Sequence, residues 1–170
     1  ELAGGAVIGT FQGRLEMGPR ALGNRSVIAD PRFASVKDRI NDILKGREWF
    51  VPFAPMVLED EASKYWDGPI EYRHMTYAVK ASDYAKEKAP GVVHVDGTMR
   101  PQVVNPTTSK WAFSVLTEFR KLTGMGVLIN TSFNRHGLPI VGQPQDAIEH
   151  LRQGWVDGLA IGRFYVKRKA

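Results

Sequence analysis

The amino-acid sequence predicts an α/β (α+β) chain, a twisted mixed β-sheet with flanking helices. Short β-branched, apolar runs bounded by glycine, proline or aspartate alternate with segments whose apolar residues recur at helical spacing. No repeat or linker interrupts the alternation, and 170 residues with 43% hydrophobic content suit one domain with its own core. Residues 1–170 are therefore expected to form a single unit, with crossovers too irregular to order the strands.

Residues 1–5 (ELAGG) read as the end of a helix and so as part of something longer. Residues 6–11 (AVIGTF) read as a buried strand and 27–29 as a second one, ended by Asp30 and Pro31. Residues 34–44 carry Val36, Ile40, Ile43 and Leu44 at helical spacing, with Ser35 as cap and a stop near Gly46. An extended aromatic and proline-rich piece, 48–55, leads into a strand at 56–58 and a polar helix at 59–63. Residues 74–80 alternate as a strand would, 82–89 are charged, and 92–95 are a short apolar run ending in an Asp96-Gly97 turn. A strand at 102–105 precedes a helix at 109–123 with Trp111, Val115, Leu116, Phe119 and Leu122 on one side and Gly124 as its stop. A strand at 126–129, a helix at 146–153 with Ala147, Ile148 and Leu151 inward, and a closing strand at 157–166 complete the chain.

Three stretches do not read as core. Residues 13–32 (GRLEMGPRALGNRSVIADPR) pack four arginines among three glycines, two prolines and two acids, following a strand. Glycine clears side-chain obstruction, and guanidinium forks match oxyanions, so such a loop suits an anion. Gly13 and Gly18 echo a Walker loop, but Pro19 and Arg20 stand where Lys-Ser/Thr is needed, which rejects that motif. Lys45 and Arg47 leave a helix two residues apart and could share one anion, although basic residues also suit a helix C-terminus. Asn130, Thr131, Ser132 and Asn134 follow the strand at 126–129 with hydroxyl and carboxamide groups, which bond phosphate oxygens or cap turns. Arg100, after another strand end, joins them; Asp96 reads as a turn cap. All are expected to converge on one phosphate-bearing ligand.

The net charge of +5 and pI near 9.6 permit anionic partners without naming them. The basic tail at Lys167, Arg168 and Lys169 reads as a solvated end. No window approaches a membrane span, the amino terminus has no signal-peptide layout, and cysteine is absent, so a cytoplasmic setting is expected. His74, His94, His136 and His150 are dispersed, with no zinc-ligand spacing, and no nucleophile elbow occurs. No metal ligands are expected on this chain.

GRLEMGPRALGNRSVIADPR, KDRINDILKGREWFVPFAP, HVDGTMRPQVV and NTSFNRHGLPIV, in that order, resemble the carboxyl-terminal domain of the NodU-type O-carbamoyltransferases. The resemblance spans nearly the whole chain and implies a YrdC-like open α/β sheet that takes carbamoyl phosphate and ATP to carbamoyl-adenylate. It further implies a metal-binding, actin-like N-terminal domain, absent from this chain, that passes the carbamoyl group to a hydroxyl acceptor. Lys45 with Arg47 and Ser132 with Asn134 match the Lys-x-Arg and Ser-x-Asn pairs of YrdC-like proteins. By that likeness Lys45, Arg47 and Ser132 would be catalytic, and Arg20, Arg25, Lys45, Arg100, Ser132 and Asn134 would bind carbamoyl phosphate. Arg47, Asn130, Thr131 and Asn134 would hold ATP, with Mg2+ carried through its phosphates. Val51 stands where the family's Arg-Pro-Phe-Ala-Pro run has arginine, and Met99 where it has alanine. Removing Lys45 or Arg100 is expected to abolish binding with little effect on melting. Two other readings are an RNA-binding module of YrdC-like fold, to which Arg47, Trp49 and Phe50 give slight support, and a non-catalytic docking domain. A nucleic-acid partner is the weaker expectation, and no membrane partner is expected.

Overall fold

The computed structural model describes residues 1–168. In chain order its main elements are β1 (Ile8–Phe11), β2 (Ser26–Ala29), α1 (Ala34–Arg39), β3 (Ala54–Leu58), α2 (Ala62–Tyr65), β4 (Val79–Lys80), α3 (Asp83–Lys88), β5 (Thr98–Met99), β6 (Gln102–Val104), α4 (Lys110–Thr123), β7 (Val127–Ser132), α5 (Pro144–Arg152), β8 (Gly158–Ile161) and β9 (Phe164–Lys167). Seven strands make one open sheet in the order β6-β3-β7-β2-β1-β8-β9, and β4 pairs with β5 separately. The large sheet is mixed: β3 runs parallel to β6 and β1 parallel to β8, while the other neighbours are antiparallel.

Period-two alternation divides the apolar residues between the two faces. Ile28, Met56, Leu58 and Leu128 pack with Ala112, Leu116 and Phe119 of α4. Val27, Ala29, Val57, Val127 and Ile129 belong to the larger core with Ile40, Leu44, Tyr65, Trp66, Phe133 and Leu151. A Cβ on Gly9 would lie 2.4 Å from the Phe133 ring, so glycine there lets the ring close over β1. Helix α4 starts where Ser109 accepts a hydrogen bond from the Ala112 N–H and ends at Gly124, whose φ of 78° suits glycine.

Several elements differ from the sequence expectation. The helix from Ala34 is α-helical only to Arg39 and continues as a π-helical turn, Ile40–Lys45, closed by Gly46 at φ 56°. Its N-terminus has no side-chain cap, so Ser35 does not act as one. The alternating run 74–80 contributes only Val79–Lys80, and 92–95 is no strand but follows a 3-10 turn, Pro90–Val92. Alternation specifies a pleated surface, not a partner strand to pair with it. The closing segment splits into the β8–β9 hairpin because the chain reverses at Gly162, φ 55°. Leu122 and Ile148 are 76% and 45% exposed, since the apolar stripes of α4 and α5 are wider than the surface they cover.

Candidate functional site

Strand β7 runs three residues further than the sequence suggested. Ser132, Thr131 and Asn130 pair with Ser26, Val27 and Ile28 of β2, and Asn130 also with Ala54 of β3. These polar residues are therefore set by a sheet ladder, a stiffer support than a loop. Beside the end of β7 lies a cavity of about 120 Å³ lined by Pro19, Arg20, Ala21, Arg47, Phe53, Ala54, Met75, Arg100, Asn130, Thr131 and Ser132. Residues from the 13–32 loop, the turn after the π-helix, the segment after β5 and the end of β7 meet here although up to 112 positions separate Arg20 from Ser132 (132 − 20).

Lys45 lies behind this cavity, 3% exposed. Its Nζ donates to Ser132 O at 2.6 Å, Ser132 Oγ at 3.2 Å, Asn134 O at 2.9 Å and Asn134 Oδ1 at 2.9 Å. The Ser132 hydroxyl in turn donates to Asn134 Oδ1 at 2.6 Å, and Asn134 Nδ2 to Leu138 O. Burial, and then repulsion from Arg47, push Lys45 down from 10.5 to about 7. The four oxygens act the other way, because a neutral amine would set its lone pair against an acceptor. That geometry favours the ammonium at neutral pH. Lys45 thus clamps the 132–134 turn, with its hydrogen bonds directed to protein oxygens.

Arg47 is held by its Nε, which donates to Asn41 Oδ1 at 2.8 Å, and its guanidinium lies over Phe53. Asn41 Nδ2 ties the same region by donating to Trp49 O and Val51 O. Arg47 Nη2 is left buried without a protein partner, as is Arg100 Nε. Burial lowers the Arg47 pKa; burial and then Arg20 lower that of Arg100. An arginine does not release its proton under such pressure, so both stay charged at a desolvation cost, to which Arg20 adds repulsion at Arg100, and a bound anion would offset it. Arg20 is exposed at the rim.

Arg25 is placed elsewhere. It is 5% exposed, its Nη1 donates to Gln12 O and Asn24 O, its Nη2 to Gly13 O, and it stacks 3.5 Å from the Phe11 ring. A guanidinium that donates to three carbonyls ties the loop together, with its Nε left buried and unpaired, and Arg25 does not line the cavity. Sequence reasoning did not single out Glu16, whose Oε1 accepts from the N–H groups of Leu22 and Asn24 at 2.7 Å and gathers the loop around it. It also overlooked Asn41 and Gln102; the available signal was a carboxamide inside an apolar run, at 40–44 and 102–104.

Residues 1–168 match the family model described as Carbamoyltransferase C-terminus. The chain belongs to the carbamoyltransferase family. It is 44% identical to nodulation protein NolNO of Sinorhizobium fredii, covering 99% of this chain and 25% of that protein. It is 34% identical to the 3'-hydroxymethylcephem-O-carbamoyltransferase of Streptomyces clavuligerus, covering 99% of this chain and 32% of that enzyme. This carbamoyltransferase chain therefore spans about a quarter to a third of the length of such relatives. Among solved structures, full-length HypF in its phosphate- and nucleotide-bound form superposes with a TM-score of 0.65 over 94% of this chain and 19% of that one, at 17% identity, which shows the fold. HypF of T. kodakarensis gives 0.57 at 18% identity. The open mixed α/β sheet with flanking helices expected from the sequence is the architecture observed, a fold shared with HypF, and no helix among the described residues is long and apolar enough to cross a membrane.

Proposed function

We propose that this chain binds carbamoyl phosphate and ATP and forms carbamoyl-adenylate, as the activating part of an O-carbamoyltransferase. One observation carries the reading: among the described residues, seven buried side-chain nitrogen or oxygen atoms have no partner, and three of the residues that carry them, Arg47, Arg100 and Asn130, line the same cavity. Native interiors leave few such atoms unpaired, and three at one site point to a ligand that completes them. Family membership supports carbamoyl chemistry, and the HypF neighbour with bound phosphate and nucleotide supports the choice of co-substrate.

A cavity of about 120 Å³ suits one small phosphate-bearing group rather than a whole nucleotide. Arg100 and Arg20 would hold the phosphate of carbamoyl phosphate. Attack of water breaks the carbamoyl–phosphate linkage and releases inorganic phosphate, which takes up the water's protons, and leaves carbamate, itself an oxyanion nucleophile. Its oxygen attacks the α-phosphorus of ATP and pyrophosphate departs, so no general base is required. The protein's part is to align the reactants and screen anion from anion. At a near-surface effective dielectric, a cation ~4 Å from a phosphate oxygen is worth roughly 4 kcal/mol before desolvation. Arg47 and the end of β7, held by Lys45, would orient the nucleotide phosphates; Thr131 and Ser132 supply hydroxyls beside them. Magnesium would travel on those phosphates. The described residues hold no group of three or more acidic or histidine side chains placed to cage a metal. Transfer to a hydroxyl would require the further actin-like domain, and the setting would be cytoplasmic.

The test is exchange of labelled pyrophosphate into ATP by this chain. Exchange that depends on carbamoyl phosphate is expected. Its absence, with carbamoyl phosphate still bound in calorimetry, would leave a binding or docking domain. RNA binding with a steep salt slope and no response to either compound would replace the reading altogether.

A further inference from the structure

The unpaired atoms of the cavity are of two kinds. Arg47 Nη2 and Arg100 Nε are donors that suit an anion, whereas Asn130 Oδ1 is an acceptor, which repels one. Asn130 is 1% exposed, and a chain of hydrogen bonds fixes which way its amide faces. Gln102 Nε2 donates to Leu22 O at 2.7 Å, which turns Gln102 Oε1 toward Asn130. An amide oxygen only accepts, so Asn130 must present Nδ2 there, at 2.7 Å, and the same Nδ2 donates to Ala21 O at 3.2 Å. Rotating the Asn130 amide would set its oxygen against two others at those distances. Oδ1 is thereby committed to being a buried acceptor with no protein donor.

We propose that Asn130 Oδ1 accepts a hydrogen bond from the amide N–H of the carbamoyl group and is the residue by which this site selects carbamoyl phosphate over acyl phosphates lacking an N–H. The inference rests on the cavity being the carbamoyl phosphate site. That compound is donor and acceptor at opposite ends: phosphate oxygens accept, and the planar amide carries two N–H groups. The cavity offers the converse, cations and unpaired donors together with one unpaired acceptor. Acetyl phosphate has the same anionic end with a methyl group in place of the amide, and would leave Oδ1 buried and unpaired. A site built to hydrogen-bond a substrate N–H rejects the analogue without it because its own polar group is then stranded. Gln102 is the positioning residue, since it sets the amide through Nδ2 and does not itself line the cavity.

Calorimetry on the 170-residue chain with inorganic phosphate, acetyl phosphate and carbamoyl phosphate tests this. Carbamoyl phosphate is expected to bind about ten- to a hundred-fold more tightly than acetyl phosphate. In Asn130→Leu the ratio should fall toward one while inorganic phosphate affinity stays within about threefold, since the cations remain. Gln102→Leu, which frees the Asn130 amide to rotate, should lower the ratio in part and leave inorganic phosphate alone. A wild-type ratio near one overturns the inference while leaving the anion site standing. Equal loss of all three compounds in Asn130→Leu also overturns it, because Oδ1 would then serve the protein, for example by closing onto Arg100. Failure of the wild-type chain to bind any of the three overturns the underlying reading of the cavity instead. The wild-type ratio decides even where a variant fails to fold.

Discussion

Lys45 closes onto four oxygens of the 132–134 turn, and Arg25, away from the cavity, onto three backbone carbonyls; at the cavity's mouth Arg20 is exposed and Arg47 and Arg100 each keep a buried donor unpaired. All are cations drawn from glycine-flanked or strand-end positions, yet they do opposite things. The inner pair is surrounded by protein acceptors, four around Lys45 and three around Arg25, whose Nε alone is left buried and unpaired, so its charge holds the fold. The outer set is held in place by neighbours and remains incomplete, so its charge is available to a ligand. What separates the two roles is the count of acceptors around each head group, not residue type or distance from the cavity.

Removing a head group from the inner layer should therefore cost stability first. Lys45→Met is expected to lose about 3 kcal/mol, because the ammonium's four hydrogen bonds go and the half-buried Ser132 Oγ and Asn134 O are left without that donor. For a chain of this length that lowers the melting temperature by roughly 6–12 °C, read by calorimetry. This reverses the sequence-based expectation that Lys45 could be removed without effect on melting. A loss below about 1 kcal/mol would dissolve the distinction between the layers.

At the mouth the signs exchange. Arg100→Ala should weaken phosphate binding by about tenfold or more, the worth of a charge-assisted hydrogen bond, while stability stays within about 1 kcal/mol, since Nε has no protein partner to forfeit. Unfolding that tracks the loss of binding would assign Arg100 to the inner layer.

The smallest effect concerns the proton on Lys45. Its ordinary value is 10.5, and burial with repulsion from Arg47 would lower it to about 7 in the folded chain. A base lowered on folding destabilises the fold at low pH, and that penalty fades as pH rises from about 7 toward 10.5, where the unfolded chain holds a proton the folded chain has shed. With the four acceptors prevailing, urea-derived stability should instead be as flat between pH 7 and 9 in the wild type as in Lys45→Met. A wild-type slope that vanishes in the variant would show burial prevailing.

A second concavity sharpens the contrast. A groove of about 400 Å³, more than three times the polar cavity, runs between α4, the first residues and β9, lined by Leu2, Ala3, Ile8, Val115, Phe119, Leu122 and Tyr165. It presents apolar surface and no unpaired buried polar atom. Size would favour it over the polar cavity. The chemistry of unpaired atoms chooses the other, because only directed donors and acceptors distinguish one small anion from another.

Much of this was legible in the amino acids. The short runs at 27–29, 56–58, 102–104 and 127–129 alternate between two apolar cores, and the period-two pattern needs only local geometry to be seen. Arg20, Arg47, Arg100 and the 130–132 segment stood out because glycine, proline and cations beside a strand end are poor core and good anion chemistry. Arg25 had the same signature, and nothing local separated it from Arg20.

Strand order, the π-helical turn that delivers Lys45, and the extension of β7 through Ser132 depended on partners far along the chain. Composition and spacing determined which side chains could hold an anion. Which of them still had a free donor was decided by the tertiary structure, because whether a polar atom is satisfied is a property of the atoms that surround it in space, and those of Lys45 come from residues 87 and 89 positions away.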